Sequence, residues 1–208
     1  MRDQENGDER KAGVSRRDFL RGSGALAAAT ALSSAALAEP EAAAEARVLG
    51  PGPARIMLNI NGQKRSLEVE PRVTLLSALR NHLDLTGAKD VCNGKQTCGS
   101  CTVMLDGKPV YACGVLAVEV AKAGQKVTTV ESLGGDKLDP VPAAFIHNDG
   151  MQCGFCTPGF VVAVRAFLNK NPDATLEEVR KGLGGNICRC GTYMGVTAAA
   201  LEVAKGGA

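Results

Sequence analysis

The stretch GAKDVCNGKQTCGSCTVMLDGKPVYAC, residues 87–113, decides how the first half of the chain folds. Its front, as far as Cys101, is a Gly- and Cys-rich loop with no apolar periodicity. Its back, TVMLDGKPVYAC (102–113), is two short apolar runs on either side of Asp106-Gly107. An Asp-Gly pair tolerates positive φ at both central positions of a tight turn, so this half reads as a hairpin. Cys92, Cys98, Cys101 and Cys113 punctuate the stretch, and one loop and one hairpin thus own four thiols.

Working outward, IMLNI (56–60), the turn Asn61-Gly62 and SLEVE (66–70) alternate apolar and polar residues and predict a first hairpin. TLLSALRNHL (74–83) carries apolar residues at helical spacing without Gly or Pro, and KVTTV (126–130) reads as a closing strand. Hairpin, helix, hairpin and strand make a small α+β unit. From Pro140 the texture becomes helical, in VPAAFIHN (141–148), PGFVVAVRAFLNK (158–170), TLEEVRKGL (175–183) and TAAALEVAK (197–205). Thr175 and Glu178 form a capping box, and Pro158 suits a first helical turn. The division falls near Gly134-Gly135, giving units at 55–134 and 135–208. Residues 39–54, EPEAAAEARVLGPGPA, read as a linker.

Residues 1–38 read as an export signal. SRRDFLR (15–21) precedes 17 uncharged residues and a small-residue A-x-A-like end at Ala36-Leu37-Ala38. The uncharged run is short and weakly apolar for a membrane span of about 20 residues, so no stable span is expected. Arg16-Arg17 followed by Phe19-Leu20 resembles the twin-arginine signal, which serves proteins that fold and take up cofactors before export. The competing reading is an ordinary secretion signal. The Gly22-x-Gly24-x-x-Ala27 pattern mimics a dinucleotide fingerprint, but it has no preceding strand and lies in the cleaved segment.

The first 38 residues hold six basic and five acidic side chains of the chain's 24 and 22, which leaves 18 against 17. A balance so even gives no basic face for nucleic acid. Eight cysteines in 208 residues is about 4%, too few for a disulfide-stapled scaffold, where more than roughly 8% is usual.

Their grouping carries the information. Cys92, Cys98, Cys101 and Cys113 are spaced C-x5-C-x2-C-x11-C, and Cys153, Cys156, Cys188 and Cys190 are spaced C-x2-C-x31-C-x-C. Each unit owns one tetrad, the ligand set of a structural zinc or an iron–sulfur cluster. The first spacing approaches the plant-type ferredoxin run C-x4-C-x2-C…C, with one extra residue, and leans to iron. Gly94, Gly99, Ser100 and Thr102 suit a loop whose N–H groups face bridging sulfides. The only histidines, His82 and His147, lie in expected helices away from the cysteines, against a Rieske centre or a Cys–His zinc finger.

With 87–113 in hand, MQCGFCTPGF (151–160) and GNICRCGTY (185–193) complete a resemblance to the iron–sulfur subunit of the molybdenum hydroxylases, the family of xanthine dehydrogenase and aldehyde oxidoreductases. It covers residues 55–205, and the periplasmic aldehyde oxidoreductases are the most similar members. The resemblance implies a ferredoxin-like β-grasp domain with one [2Fe–2S] cluster on Cys92, Cys98, Cys101 and Cys113. An all-α four-helix domain would follow, with a second cluster on Cys153, Cys156, Cys188 and Cys190. It also implies that Gln152 and Cys190 contact the molybdopterin of a large partner subunit. Electrons would then leave toward a flavin (FAD) subunit, a cytochrome or another acceptor, and the chain itself would supply no catalytic base or nucleophile. Export fits, because clusters assembled before folded transport protect thiols from oxidation in the periplasm. The five residues 93–97 between the first two cysteines exceed the family's usual four, and the surplus is expected to bulge outward. Arg189 is expected to point away from the cluster, toward a salt bridge with the partner. The competing readings are a free-standing ferredoxin-like carrier and a structural zinc or disulfide protein.

Overall fold

The computed structural model describes Ser15, Arg17 and residues 50–206. The signal peptide's apolar run, its cleavage site and most of the 39–54 linker lie outside the described residues.

Strand β1 (Ala54–Ile60) and strand β2 (Gln63–Val69) pair antiparallel across Asn61-Gly62, with Ile60 opposite Gln63. Asn61 and Gly62 both take positive φ, as that two-residue turn requires. Strand β3 (Thr102–Leu105) and strand β4 (Lys108–Tyr111) form the second hairpin across Asp106-Gly107, again with both residues at positive φ. Strand β5 (Lys126–Thr128) lies between the hairpins, parallel to β1 and antiparallel to β3. The sheet order is β2-β1-β5-β3-β4, five strands in a mixed sheet.

Helix α1 begins at Thr74, whose hydroxyl accepts from Ser77 N, and runs Leu75–Ser77 before Ala78–His82 widens into a π-helical turn. The helix expected over 74–83 is therefore only partly regular. Leu85 N donates to Leu79 O, and the Arg80 guanidinium donates to the Thr86 and Ala88 carbonyls at 2.7 and 2.8 Å, so the next segment is drawn back over the last turn. Helix α2 (Ala117–Ala123), absent from the sequence reading, packs on β1 and ends at Gly124 in the left-handed conformation. Leu58, Leu75, Leu79, Val103, Val120 and Val127 form the centre of this first core.

Four further helices follow: α3 (Pro140–His147), α4 (Thr157–Leu168), α5 (Leu176–Gly182) and α6 (Tyr193–Ala204). Asp139 caps α3 through Val141 N, and Pro158 sits in the first turn of α4. The Thr175–Glu178 capping box is present at α5. Helix α6 starts four residues earlier than the expected 197. Gly195 lies against the Asn148 and Asp149 backbone, where a Cβ would collide, and its bare backbone lets the first turn of α6 close on the end of α3.

Phe145, Phe160, Val162, Val164, Val179 and Ala199 fill a second core, and Met104 of β3 belongs to it. Strand β3 is buried along its whole length, with Val103 in the first core and Met104 in the second. Helix α4 packs directly on β3, so the described residues from Gly50 onward form one compact unit with two cores back to back. The architecture is mixed α/β, a five-stranded sheet with six helices. Among the described residues, no helix is long and apolar enough to cross a membrane.

Candidate metal centres

All eight cysteines are described, and no disulfide joins any of them. Within each tetrad the thiols are closest in twos, and the pairs also act on one another, Cys98 on Cys101, Cys153 on Cys156 and Cys188 on Cys190. In the first tetrad the Cys92 thiol reaches Cys98, and the Cys101 thiol reaches Cys113. In the second, Cys156 reaches Cys188 and Cys153 reaches Cys190. Among the described residues no three His, Cys, Asp or Glu side chains gather closely enough to hold a single metal ion.

The first tetrad hangs from the sheet by β3. Cys101 immediately precedes that strand and Cys113 follows β4, so the hairpin fixes both, and Ala112 N donates to Cys101 O. Both thiols are buried. Cys92 and Cys98 are half-buried on the loop between them and the sequence upstream. Residues 93–97 are all exposed, so the surplus residue bulges outward as expected, with Asn93, Gly94 and Gln96 at positive φ. The Gln96 side chain folds back over Gly114, beside Cys113, leaving no room there for a Cβ. The Thr102 hydroxyl is spent on the Gly99 carbonyl at 2.6 Å, closing the loop instead of facing its interior.

The second tetrad stands at the start of two helices. Cys156 precedes α4, while Cys188 and Cys190 precede α6. Cys156 and Cys188 are buried, and Cys153 and Cys190 are exposed. Gln152 and Arg189 are exposed beside them. Cys188 is held by the turn that leads into α6: its N–H donates to the Tyr193 hydroxyl at 2.9 Å, and that ring packs edge-on against Phe160 at 6.1 Å.

Burial and hydrogen bonding set the thiols apart. Burial pushes Cys101 and Cys156 up to about 12. Cys92 is lowered to about 6, chiefly by the Thr97 backbone N–H. At Cys188 burial acts upward but is outweighed by the Thr192 hydroxyl and N–H, which help bring it to about 7. The Cys153 thiol raises Cys190. A metal ligand must be the thiolate, so occupation of either site displaces protons that the buried members hold tightly.

The two tetrads are stitched together by residues to which sequence reasoning assigned no role. Ile187 N, next to Cys188, donates to the Cys98 carbonyl at 2.9 Å. Asn186, buried at 7% exposure, donates to the Gly99 carbonyl at 2.9 Å and to the Thr102 hydroxyl at 3.3 Å. Tyr111 donates to the Gly185 carbonyl. A buried Asn ahead of two cysteines was the available signal, though its partners lie more than 80 residues away in sequence. His82 is exposed, and His147 pairs with Glu202 at 3.1 Å, so neither histidine joins a thiol site.

Among the described residues, buried side-chain polar atoms without partners are few. The Thr157 hydroxyl, adjacent to Cys156, is one of them. A buried hydroxyl lacking an acceptor is costly unless one is supplied, and a sulfur centre held by Cys156 is an acceptor of that kind.

Comparison with known proteins gives three family matches. Residues 58–129 match the 2Fe-2S iron-sulfur cluster binding domain, residues 129–201 the [2Fe-2S] binding domain, and residues 13–33 the twin-arginine translocation pathway signal sequence. The chain is 39% identical to the aldehyde oxidoreductase iron-sulfur-binding subunit PaoA of Escherichia coli O157:H7, over 92% of this chain and 88% of that one. It is 40% identical to the nicotine 6-hydroxylase small subunit of Paenarthrobacter nicotinovorans, over 71% and 87% respectively. Among solved structures, quinoline 2-oxidoreductase of Pseudomonas putida 86 superposes with a TM-score of 0.69 at 40% identity, covering 73% of this chain and 93% of that one.

Proposed function

Since this chain belongs to the iron–sulfur subunits of the molybdenum hydroxylase family, we propose that it is the electron-transfer subunit of a molybdenum-dependent aldehyde oxidoreductase-like complex. It receives electrons from the molybdopterin centre of a large partner subunit and delivers them to an FAD subunit, a cytochrome or another acceptor. Substrate oxidation belongs to the partner chain. The twin-arginine signal at 13–33 directs the chain to the periplasm.

The observation that carries the assignment is the pairing of thiols. Two irons joined by sulfides each need two protein ligands, whereas a single zinc ion needs four converging ones. Cys92/Cys98 with Cys101/Cys113 would hold one [2Fe–2S] cluster, and Cys153/Cys190 with Cys156/Cys188 the other. Bound there, each cluster supplies a one-electron couple. The unpartnered Thr157 hydroxyl supports occupation of the second site. The sheet unit is read as a β-grasp ferredoxin-like domain over 55–134, and residues 135–208 as a four-helix cluster domain.

Exposure supports a direction. Cys153 and Cys190 are the accessible thiols of the second tetrad, and Met151, Phe155, Ile187, Tyr193 and Met194 nearby in sequence expose large apolar side chains. Exposed apolar side chains of this kind, with exposed Gln152 beside them in sequence, fit burial against the molybdopterin subunit. The amide of Gln152 can donate and accept along a pterin edge, and Cys190 would face the same group. The bond from Ile187 N to Cys98 O ties this inner site to the outer one. A free-standing carrier would need neither the second tetrad nor the exposed apolar side chains beside it.

The test is an EPR spectrum of the dithionite-reduced protein, purified with its co-assembled subunits, together with iron and sulfide analysis. Two distinct signals and about four irons per chain are expected of two [2Fe–2S] centres. A colourless zinc protein, purified under conditions that preserve clusters in a related enzyme, would refute the assignment.

A further inference from the structure

Thr192 occupies the position just before α6, where a threonine hydroxyl ordinarily accepts from a backbone N–H two or three residues on. It makes no such capping bond. The hydroxyl turns the other way and donates to Cys188 Sγ at 3.2 Å. The acceptor is a buried ligand atom four residues upstream, at the start of a 12-residue helix. Among the described residues no side-chain hydroxyl bonds to Cys156, its partner in the pair, and the neighbouring Thr157 hydroxyl is unpartnered.

We propose that Thr192 is a positioning residue for the inner centre, whose hydroxyl bond to Cys188 raises that centre's reduction potential and so sets how electrons divide between the inner and outer sites. The inference rests on the proposed assignment of Cys188 as a cluster ligand. Reduction adds one negative charge to the cluster and its thiolates. A donor aimed at a ligand sulfur strengthens as that charge grows, and hydrogen bonds to sulfur are a principal means by which a protein moves such potentials. The helix itself is not the beneficiary, because the hydroxyl leaves the α6 N–H groups uncapped. In the outer site the Cys92 thiol is served by a different residue, Thr97, through its backbone N–H first and its hydroxyl as well. Thr192 is therefore a handle on one centre alone.

The experiment is an EPR-monitored redox titration of the assembled complex carrying Thr192→Val, Thr192→Ser or neither. Valine keeps the shape without the donor. Its expected effect is a shift of electron occupancy from inner to outer centre on the order of tenfold, which is 59 mV for a one-electron couple, with the outer potential unchanged. Serine is expected to stay near the parent value. An unshifted inner potential in Thr192→Val overturns the inference, and so does an equal shift of both centres, which would mark a general packing change. Loss of the inner signal in Thr192→Val with Thr192→Ser intact would also overturn it, in favour of a hydroxyl needed for assembly. Failure of the cluster assignment itself is distinguishable, since the unsubstituted complex would then lack its second signal.

Discussion

The two tetrads, each proposed to hold one cluster, are built on opposite materials. The outer one is anchored by a hairpin: Cys101 and Cys113 sit side by side at the open end of a strand pair whose register is fixed by Asp106-Gly107 and by β5 alongside. The inner one is anchored by helix starts, where Cys156 and Cys188 are held by α4, by α6 and by the Tyr193–Phe160 contact. A strand pair holds two cysteines rigidly and leaves the other two to an adaptable loop, which explains how residues 93–97 accommodate a surplus residue without disturbing the sheet. Helix starts bury Cys156 and Cys188 and leave the pair Cys153/Cys190 exposed at the surface. Rigidity therefore serves the outer site and accessibility the inner one.

The seam between these regions is the place to break the comparison with the largest effect. Gly159, in the first turn of α4, faces the Gly99 carbonyl and the Ser100 backbone so closely that any Cβ would collide. Gly159→Val should force α4 off the outer loop and destabilise the chain by about 3 kcal/mol, the upper end for overpacking. Chemical denaturation of the apo chain measures this, and both EPR signals of the assembled complex should weaken together. A loss confined to one signal would show that the two sites fold independently of the seam.

Single-ligand variants sharpen the same contrast. Cys113→Ser is expected to abolish the outer EPR signal and lower the iron content by about half while the inner signal persists, since each cluster needs its own four ligands. Cys156→Ser should do the reverse. Because Cys101 and Cys156 are pushed up to about 12 by burial, their protons stay on through neutral pH, and cluster reconstitution of the apo chain should release protons and slow as pH falls. For the apo fold the sign is set by a raised thiol pKa. Stability from these neutral buried thiols is present below the unfolded value near 8.5–9 and is lost as pH rises toward 12. A pH series of apo-chain melting should show that alkaline decline, and Cys101→Ala with Cys156→Ala should flatten it.

Asn186 measures the seam by hydrogen bonding instead of by sterics. Its amide is buried and bonds to Gly99 and Thr102, and it approaches them only because GGNICRC folds back onto the first unit. Asn186→Ala should cost about 1–3 kcal/mol in denaturation, because the Gly99 carbonyl loses a buried donor. The effect should be smaller than that of Gly159→Val, and the inner signal should survive.

What could be read from the sequence follows the range of the forces involved. Both hairpins, their turns and the capping box at Thr175 were legible because each is decided within a few residues by φ preference or by a local hydrogen bond. The grouping of the eight cysteines was legible from spacing. Helix α2 was missed because AVEVAKA is too short to show a full apolar period and depends on packing against β1. The π-helical turn at Ala78–His82 and the early start of α6 were missed for a related reason. The first depends on Arg80 reaching the Thr86 and Ala88 carbonyls, and the second on Gly195 meeting the end of α3. The pairing of thiols within each tetrad, and the roles of Asn186 and Thr192, needed coordinates because spacing cannot say which sulfur meets which donor.

The smallest expected effect involves no cysteine and tests whether the helical region has a pH dependence of its own. Glu202 of α6 accepts from Asn148 and pairs with His147 at the end of α3, and these bonds hold its carboxyl below the ordinary value, the Asn148 contribution being the larger. A lowered carboxylate pKa contributes stability that is present above the ordinary range near 4.5 and is lost as pH falls through the lowered value. The contact is exposed, so the contribution is small and salt-sensitive. Glu202→Gln should leave the melting temperature at pH 7 only slightly reduced and remove part of the acid-side decline below pH 4.5. The two EPR signals should be untouched. If Glu202→Gln instead altered the inner signal alone, the α3–α6 contact would be transmitting to Cys188 through α6, and the inner site would depend on the whole helical region.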